Sequence, residues 1–571
     1  MKVKINGEEL EATAGQTVLE VAKKAGIEIP TLCYLKDKNE IGVCRICMVK
    51  VEGGGGGYEP AFVLQVSDGL EIETNTPEVR ELRRLNLELI LANHPQDCLS
   101  CERSLNCELQ GLSKELGVDG SRFAGKRIEH QLDESTPSLI RDPNKCVKCR
   151  RCVSVCNDSQ GVKVLFPNNR GFETLIAPFF NKDLDEVACS LCGQCLHACP
   201  VAAIKENDAI DNVWEALNDD NQHVVVQIAP AVRVSIGEEF GVEPGTPMTN
   251  KLVTACRKLG FDKVFDTDFT ADLTIMEEGH ELLSRLKEGG PFPLLTSCSP
   301  GWIKYVEHFH NDFLPNLSSC KSPQQMFGAL AKSYYADIEN LSREEITVVS
   351  VMPCTAKKFE ATREEMMKDG SQDVDLVLTT RELARMLKMT GVDFLNLSGS
   401  DFDDPLGIST GAADIFGVTG GVMEAALRTV YEKLTGEELS GLRLTEAKGL
   451  TGVREAKIEL SNQTIKVAVV SGLGNASKVL EAVKRGEKEY HFIEAMACPG
   501  GCVGGGGQPI PTNEEIVMKR GQGLYNINNS KSLRKSHENP VIQELYEEYL
   551  EGVGNKKAHQ LLHTTYQKRA K

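Results

Sequence analysis

Apolar and polar positions alternate at the start of the chain, with Val3 and Ile5 on one face, which predicts a strand. The spacing changes to a helical one from Thr17 to Ala25, and a longer helix rich in Leu and Arg is predicted from Val79 to Ala92. Beyond residue 210 the character shifts. Apolar runs at Val224–Ile228, Ile346–Val351 and Lys466–Val470 read as strands, and they alternate with helical stretches at Met248–Leu259, Ser322–Ala331 and Thr380–Met389. That alternation predicts a large α/β domain with parallel sheets covered by helices. Pro540 to Leu550 reads as an amphipathic helix running into a polar tail, and Gly53 to Gly57 as a mobile loop tip.

A chain of 571 residues has room for several domains. The expected divisions are 1–78, 79–125, 126–209 and 210–571, giving α+β segments followed by a large α/β domain. Twenty cysteines fit metal ligation better than a disulfide scaffold, which belongs to short secreted chains. The N-terminus has no continuous apolar stretch ahead of a cleavage site, and Val224 to Val232 is far too short to span a bilayer. A soluble protein of a reducing cytoplasm, without membrane contact, is expected. A net charge of -18 argues against a nucleic-acid partner. It leaves room for local basic patches that dock an acidic electron carrier. Gly472-Leu473-Gly474-Asn475-Ala476-Ser477 begins like a dinucleotide turn but lacks the third glycine and a well-placed acid, so no nucleotide site is expected there.

The cysteines carry the chemistry. Cys146-x-x-Cys149-x-x-Cys152-x-x-x-Cys156 is followed by Cys189-x-x-Cys192-x-x-Cys195-x-x-x-Cys199-Pro200. This resembles the bacterial ferredoxin pattern, in which the fourth cysteine of each run crosses to the other cube. The expected sets are Cys146, Cys149, Cys152 with Cys199, and Cys189, Cys192, Cys195 with Cys156. Upstream, His94, Cys98, Cys101 and Cys107 offer three thiolates and an imidazole, suited to a cube or to zinc. The position before two ferredoxin cubes favours the cube. Cys33, Cys44 and Cys47 resemble the ligands of a plant-type 2Fe–2S ferredoxin. The fourth cysteine, however, is replaced by Phe62 in Pro60-Ala61-Phe62. Asp37, Ser67 and Asp68 are nearby oxygen donors with none preferred, and a ferredoxin-shaped domain without a stable cluster stands beside them.

Three further cysteine-bearing loops lie in the large domain: Thr296-Ser297-Cys298-Ser299-Pro300-Gly301-Trp302, Met352-Pro353-Cys354-Thr355-Ala356-Lys357-Lys358 and Met496-Ala497-Cys498-Pro499-Gly500-Gly501-Cys502. Each follows an apolar run, where open α/β sheets gather ligands. In order, they resemble the TSCCPxW, MPCxxKxxE and MACxxGCxxGGGQP signatures of the FeFe-hydrogenases, the large monomeric clostridial type in particular. The resemblance covers nearly the whole chain. It implies an H-cluster, a 4Fe–4S cube bridged by a thiolate to a diiron azadithiolate unit with CO and cyanide, alongside three accessory 4Fe–4S clusters and an open question over one 2Fe–2S cluster.

Carried over residue by residue, Cys354, Cys498 and Cys502 ligate the cube, and Cys502 is the bridge. The fourth ligand position holds Ser299, whose alkoxide is harder and more basic than a thiolate. Cys298 matches the proton-relaying cysteine, and the family's relay continues through Glu278, Ser318 and Glu281 to Arg285, with Glu277 as a structural neighbour. Lys357, Pro230 with Ala231, and Pro323 with Gln324 match the surroundings of the cyanides. Met352, Met496 and Phe416 match residues packed about the diiron unit. Cys256 and Cys320 read as buried thiols.

The resemblance implies a ferredoxin hydrogenase that takes electrons from reduced ferredoxin or flavodoxin and needs dedicated maturases. Ser299 and Phe62 motivate one alternative, a catalytically weak or sensory homologue. A pure electron-transfer subunit and the catalytic subunit of an NAD-linked bifurcating complex are the others, the last without a visible flavin or NAD site.

Overall fold

The computed structural model describes residues 1–571 apart from 54–55, 124, 126, 440–443, 449, 461–462 and 571. The glycine run expected as a loop tip falls partly on 54–55, outside the described residues, and Gly57 already opens the strand Gly57–Pro60.

The N-terminal sheet runs in the order Glu8–Glu11, Lys2–Ile5, Glu71–Glu73, Met48–Glu52, Gly57–Pro60. Val3 and Ile5 are buried and pack with Val18, Leu19, Val21 and Ala22 of the helix Val18–Lys24. A Thr17–Glu20 capping box starts that helix, satisfying amides that its first turn cannot. The next helix, Pro77–Asn93, begins with Thr76 as cap and Pro77 in the first turn. Its buried Arg83 donates to the Met48 carbonyl at 2.8 and 3.1 Å, which fixes the helix to the sheet. Two small antiparallel pairs follow, Leu139–Arg141 with Ile204–Glu206 and Phe166–Asn168 with Leu175–Ala177.

The large C-terminal part holds two sheets. One is parallel throughout, ordered Lys263–Asp266, His223–Ile228, Ile346–Met352, Leu376–Thr379. The other is ordered Leu294–Leu295, Phe492–Met496, Gln463–Ser471, Leu450–Leu460, Thr445–Ala447; its first three strands are parallel and its last two antiparallel. The mixed direction departs from the purely parallel expectation. A hairpin edge needs no crossover helix, and the apolar pattern does not reveal strand direction. The helix Thr267–Glu288 stands between the two sheets. Phe269, Leu273 and Met276 enter the core of the first, while Ala271, Ile275 and Leu282 enter that of the second. A helix apolar on both sides is a buried one. The C-terminal helix Pro540–Leu545 continues as a π-helical turn at Tyr546–Leu550. The tail beyond it is packed down, with Glu307 taking bonds from both Arg363 and Arg569.

Candidate functional site

The two ferredoxin-like runs close around two adjacent cavities. Cys146, Cys149, Cys152 and Cys199 line one of about 450 Å³. Cys156, Cys189, Cys192 and Cys195 line the other, of about 480 Å³. The crossing follows from local geometry. Lys148, Arg150 and Leu191 take positive φ, as does Gly193, so each Cys-x-x-Cys turn curls inward, and a short helix carries the fourth cysteine across. Burial pushes Cys146 and Cys156 up to about 11 and Cys192 to about 12, so these thiols become thiolates only with a metal to hold.

His94 ends the helix Pro77–Asn93, and its Nδ1 is buried with no hydrogen-bond partner. Burial also lowers its pKa, keeping the ring neutral and able to ligate. Among the described residues, no three ligand atoms of any cysteine-bearing set come within 4.8 Å of one another. Thiolates on a single zinc sit only about 3.8 Å apart, given Zn–S bonds near 2.3 Å.

At the N-terminus, Cys33 donates to Cys44, which holds Cys44 down at about 6 and Cys33 high, and Cys47 lies beside them. Phe62 is buried, its amide reaching the Cys47 sulfur and its ring 5.1 Å from that of Tyr34. Asp37, Ser67 and Asp68 are all exposed, and Asp68 accepts from the Lys2 amide at 2.8 Å.

The largest convergence is in the C-terminal part. Strands Leu294–Leu295, Ile346–Met352 and Phe492–Met496 deliver their three loops to one cavity of about 840 Å³, with the loop after Ile228 as a fourth wall. Cys298, Ser299, Cys354, Cys498 and Cys502 line it together with Pro230, Ala231, Pro323, Gln324, Met352, Lys357, Phe416 and Met496. Cys256 and Cys320 are fully buried elsewhere. Glycines let the loops approach: a Cβ on Gly505 would lie 2.1 Å from the Pro353 carbonyl oxygen.

The donor set fits an iron–sulfur group. Ser299 is the N-cap of the helix Pro300–Phe309, yet its hydroxyl makes no capping bond. An N-cap serine ordinarily spends its oxygen on the helix amides; this one does not, and Ser299 lines the cavity. Gln324 Oε1 is buried without a partner, while its Nε2 donates to Glu360 at 3.1 Å, beside the 2.8 Å pair of Lys357 with Glu360. The remaining walls are mostly apolar, so charges and dipoles inside act at full strength.

A line of polar groups leaves the cavity along the helix Thr267–Glu288. Burial, then the charge of Glu278, raises the Cys298 thiol. Glu278 is buried; that burial and the nearby Glu281 push its carboxyl up to about 8, with Ser318 partly offsetting the rise. Ser318 Oγ donates to Glu281 at 2.9 Å, and Arg285 donates to the other Glu281 oxygen at 2.7 Å. Glu277 faces away, accepting from Tyr546 at 2.6 Å and lying 3.0 Å from His563.

Sequence reasoning passed over Thr267 and Asp268, which also line the main cavity, and it assigned Cys192 to the ferredoxin-like set alone. Cys192 belongs to both cavities. Its neighbours clamp the two parts together: Gln194 donates to the Gly504 carbonyl at 2.9 Å, and His197 Nε2 lies 2.7 Å from that of Gly505. Asp268 pairs with buried Arg233 at 3.0 Å. Its signal was an Asp-Thr-Asp run directly after a strand.

Matches to family models run along the chain. Residues 222–506 match the iron only hydrogenase large subunit, C-terminal domain, and 514–569 the iron hydrogenase small subunit. Residues 1–77 match a 2Fe-2S iron-sulfur cluster binding domain, 83–122 the NADH-ubiquinone oxidoreductase-G iron-sulfur binding region, and 145–203 a 4Fe-4S dicluster domain. The NADP-reducing hydrogenase subunit HndD of Solidesulfovibrio fructosivorans is 48% identical, over 100% of this chain and 99% of that protein. Iron hydrogenase 1 of Clostridium pasteurianum is 42% identical, over 99% of each. The chain belongs to the FeFe-hydrogenases. A solved FeFe-hydrogenase, HydA(deltaEFG), superposes with a TM-score of 0.58 at 43% identity, covering 62% of this chain and 98% of that one. The FeFe-hydrogenase catalytic fold is thus joined here to N-terminal iron–sulfur domains of both 2Fe–2S and 4Fe–4S type. Among the described residues, no helix is long and apolar enough to cross a membrane.

Proposed function

We propose that this hydrogenase forms H2 reversibly from protons with electrons from a reduced ferredoxin or flavodoxin. Two protons and two electrons give one H2. The observation that carries the reading is the meeting of Cys298, Ser299, Cys354, Cys498 and Cys502 in one largely apolar cavity with a polar line leading out of it. Cys354, Cys498, Cys502 and Ser299 would hold the cube of an H-cluster, with Cys502 as the bridge to its diiron unit. That group, when bound, supplies the iron at which protons and electrons combine.

The chain's own residues do the rest. Lys357, Gln324 and the Pro230–Ala231 backbone line the cavity and would orient the cyanides of such a group, while Met352, Met496 and Phe416 would exclude water. Cys298 Sγ gives and takes the proton at the cavity, Glu278 exchanges it through Ser318 with Glu281, and Arg285 holds Glu281 at the outer end. Cys33, Cys44 and Cys47, His94 with Cys98, Cys101 and Cys107, and the two ferredoxin-like sets would hold the clusters that supply electron transfer, and the loop carrying Cys192 borders both its own cluster cavity and the catalytic one. Segments 1–78, 79–125, 126–209 and 210–571 divide this work, maturases load the diiron unit, and twenty free cysteines suit a reducing cytoplasm.

An infrared spectrum of matured protein tests the reading. CO and cyanide bands with H2 evolution from reduced methyl viologen support it; bands without turnover favour a sensor, and no bands favour an electron-transfer subunit. A second reading follows from the HndD relative, whose name makes it a subunit of an NADP-reducing hydrogenase. This chain would then pass electrons to or from a nicotinamide-binding partner, and co-purification of such a subunit tests that.

A further inference from the structure

An open groove of about 1500 Å³ runs between the ferredoxin-like part and the catalytic part. Its floor is the segment 157–163, which begins one residue after Cys156. That segment is pressed against the start of the helix Leu473–Lys484. Gln160 Oε1 accepts from the Leu473 amide at 3.0 Å, and a Cβ on Gly161 would lie 3.3 Å from the Gly474 Cα. The helix terminus is therefore occupied by protein and offers no anion site.

The groove's charge runs against that of the whole. Lys163, Lys448, Lys478, Arg485 and Lys488 line it, against Asp158, Glu481 and Glu487. The chain carries -18 overall, so this local excess of cations is an island. Arg485 and Lys488 are paired, with Glu487 at 2.6 Å and Glu455 at 2.9 Å. Lys163, Lys448 and Lys478 are exposed and form no ion pair among the described residues. Three unpaired ammonium groups around a concave surface attract a partner of opposite charge and orient it before contact.

We propose that this groove docks a small acidic one-electron carrier and admits its electron directly to the cluster held by Cys156, Cys189, Cys192 and Cys195. The carrier is oxidised by one electron and that cluster reduced by one; no bond forms or breaks. This entry rests on the ferredoxin-linked function proposed above and bypasses the N-terminal clusters. It ends at the cluster whose Cys192 also lines the catalytic cavity.

Binding tests it without reference to turnover. The full chain is titrated with an acidic two-cluster ferredoxin at low and high salt, and the complex is cross-linked with a zero-length carbodiimide. Lys163→Glu combined with Lys448→Glu and Lys478→Glu is expected to weaken binding by about 30-fold or more at low salt, with the difference shrinking at high salt. Cross-links in the unaltered chain are expected at those lysines. Variant affinity within about twofold of the parent, with cross-links confined to residues 1–125, overturns the groove and leaves the ferredoxin reading standing. No salt-dependent binding by the unaltered chain overturns that reading, and the groove with it.

Discussion

Replacing Glu278 with glutamine keeps the shape of the side chain and removes its ability to release a proton. Burial, then Glu281, raises this carboxyl from 4.5 to about 8. At pH 7 roughly nine-tenths of it is therefore protonated, poised to give and regain a proton near neutrality. Turnover in Glu278→Gln is expected to fall by about 10²- to 10⁴-fold, the usual worth of a positioned acid–base group. Infrared bands and iron content should stay as in the parent. The same shift sets a stability signature. Between about pH 4.5 and 8 the folded chain holds a proton that the unfolded chain has lost, so the Glu278 contribution is intact below that window and drains away as pH rises through it. At 1.36 kcal/mol per pH unit, the upper limit is about 5 kcal/mol. Glu494, pushed up to about 7, and Asp272, to about 6, stay in both proteins and cancel in the comparison. Apparent unfolding midpoints of matched preparations should lie closest at about pH 4, below the window, and favour the variant increasingly up to pH 9. Parent-like turnover, or a stability difference that is flat with pH, would refute the reasoning.

Ser299→Cys places a soft donor at a position that lines the cavity; iron loss to a chelator, followed by absorbance, should slow by about tenfold or more. Phe62→Cys should raise 2Fe–2S content, seen by electron paramagnetic resonance of the reduced protein. Without a bound cluster it should cost about 2–4 kcal/mol for the lost aromatic volume, and unchanged cluster content would count against the site. In Gly193→Ala the new methyl would lie 2.6 Å from Thr355 Oγ1 and 2.8 Å from the Gly506 Cα, at a φ of +71°. Limited proteolysis between the ferredoxin-like and catalytic parts should become much faster; an unchanged digest would show that the junction yields.

Strong periodicity made much of the fold legible. Thr380–Met389 is a helix with those very ends, and the expected strands at Val224, Ile346 and Lys466 exist with slightly longer bounds. Met248 and Ser322 turned out to be caps, since the residue before a helix carries no period of its own. The antiparallel hairpin of Leu450–Leu460 with Gln463–Ser471 was invisible because alternation is the same in either direction. Loops with Cys, Pro and Gly after apolar runs pointed to the cavity, and the structure places all three there. Asp268 was missed because its meaning depends on Arg233, distant in sequence and fully buried in space. The groove beside segment 157–163 was missed for the same reason: its lysines come from segments some 300 residues apart.

The wall at Cys192 has a consequence for biogenesis. Because one strip of backbone bounds both cages, filling either one should stiffen the rim of the other, and by reciprocity the two occupancies should be coupled. Partially loaded preparations should then hold both guests or neither more often than independent filling would give, a census that native mass spectrometry can take.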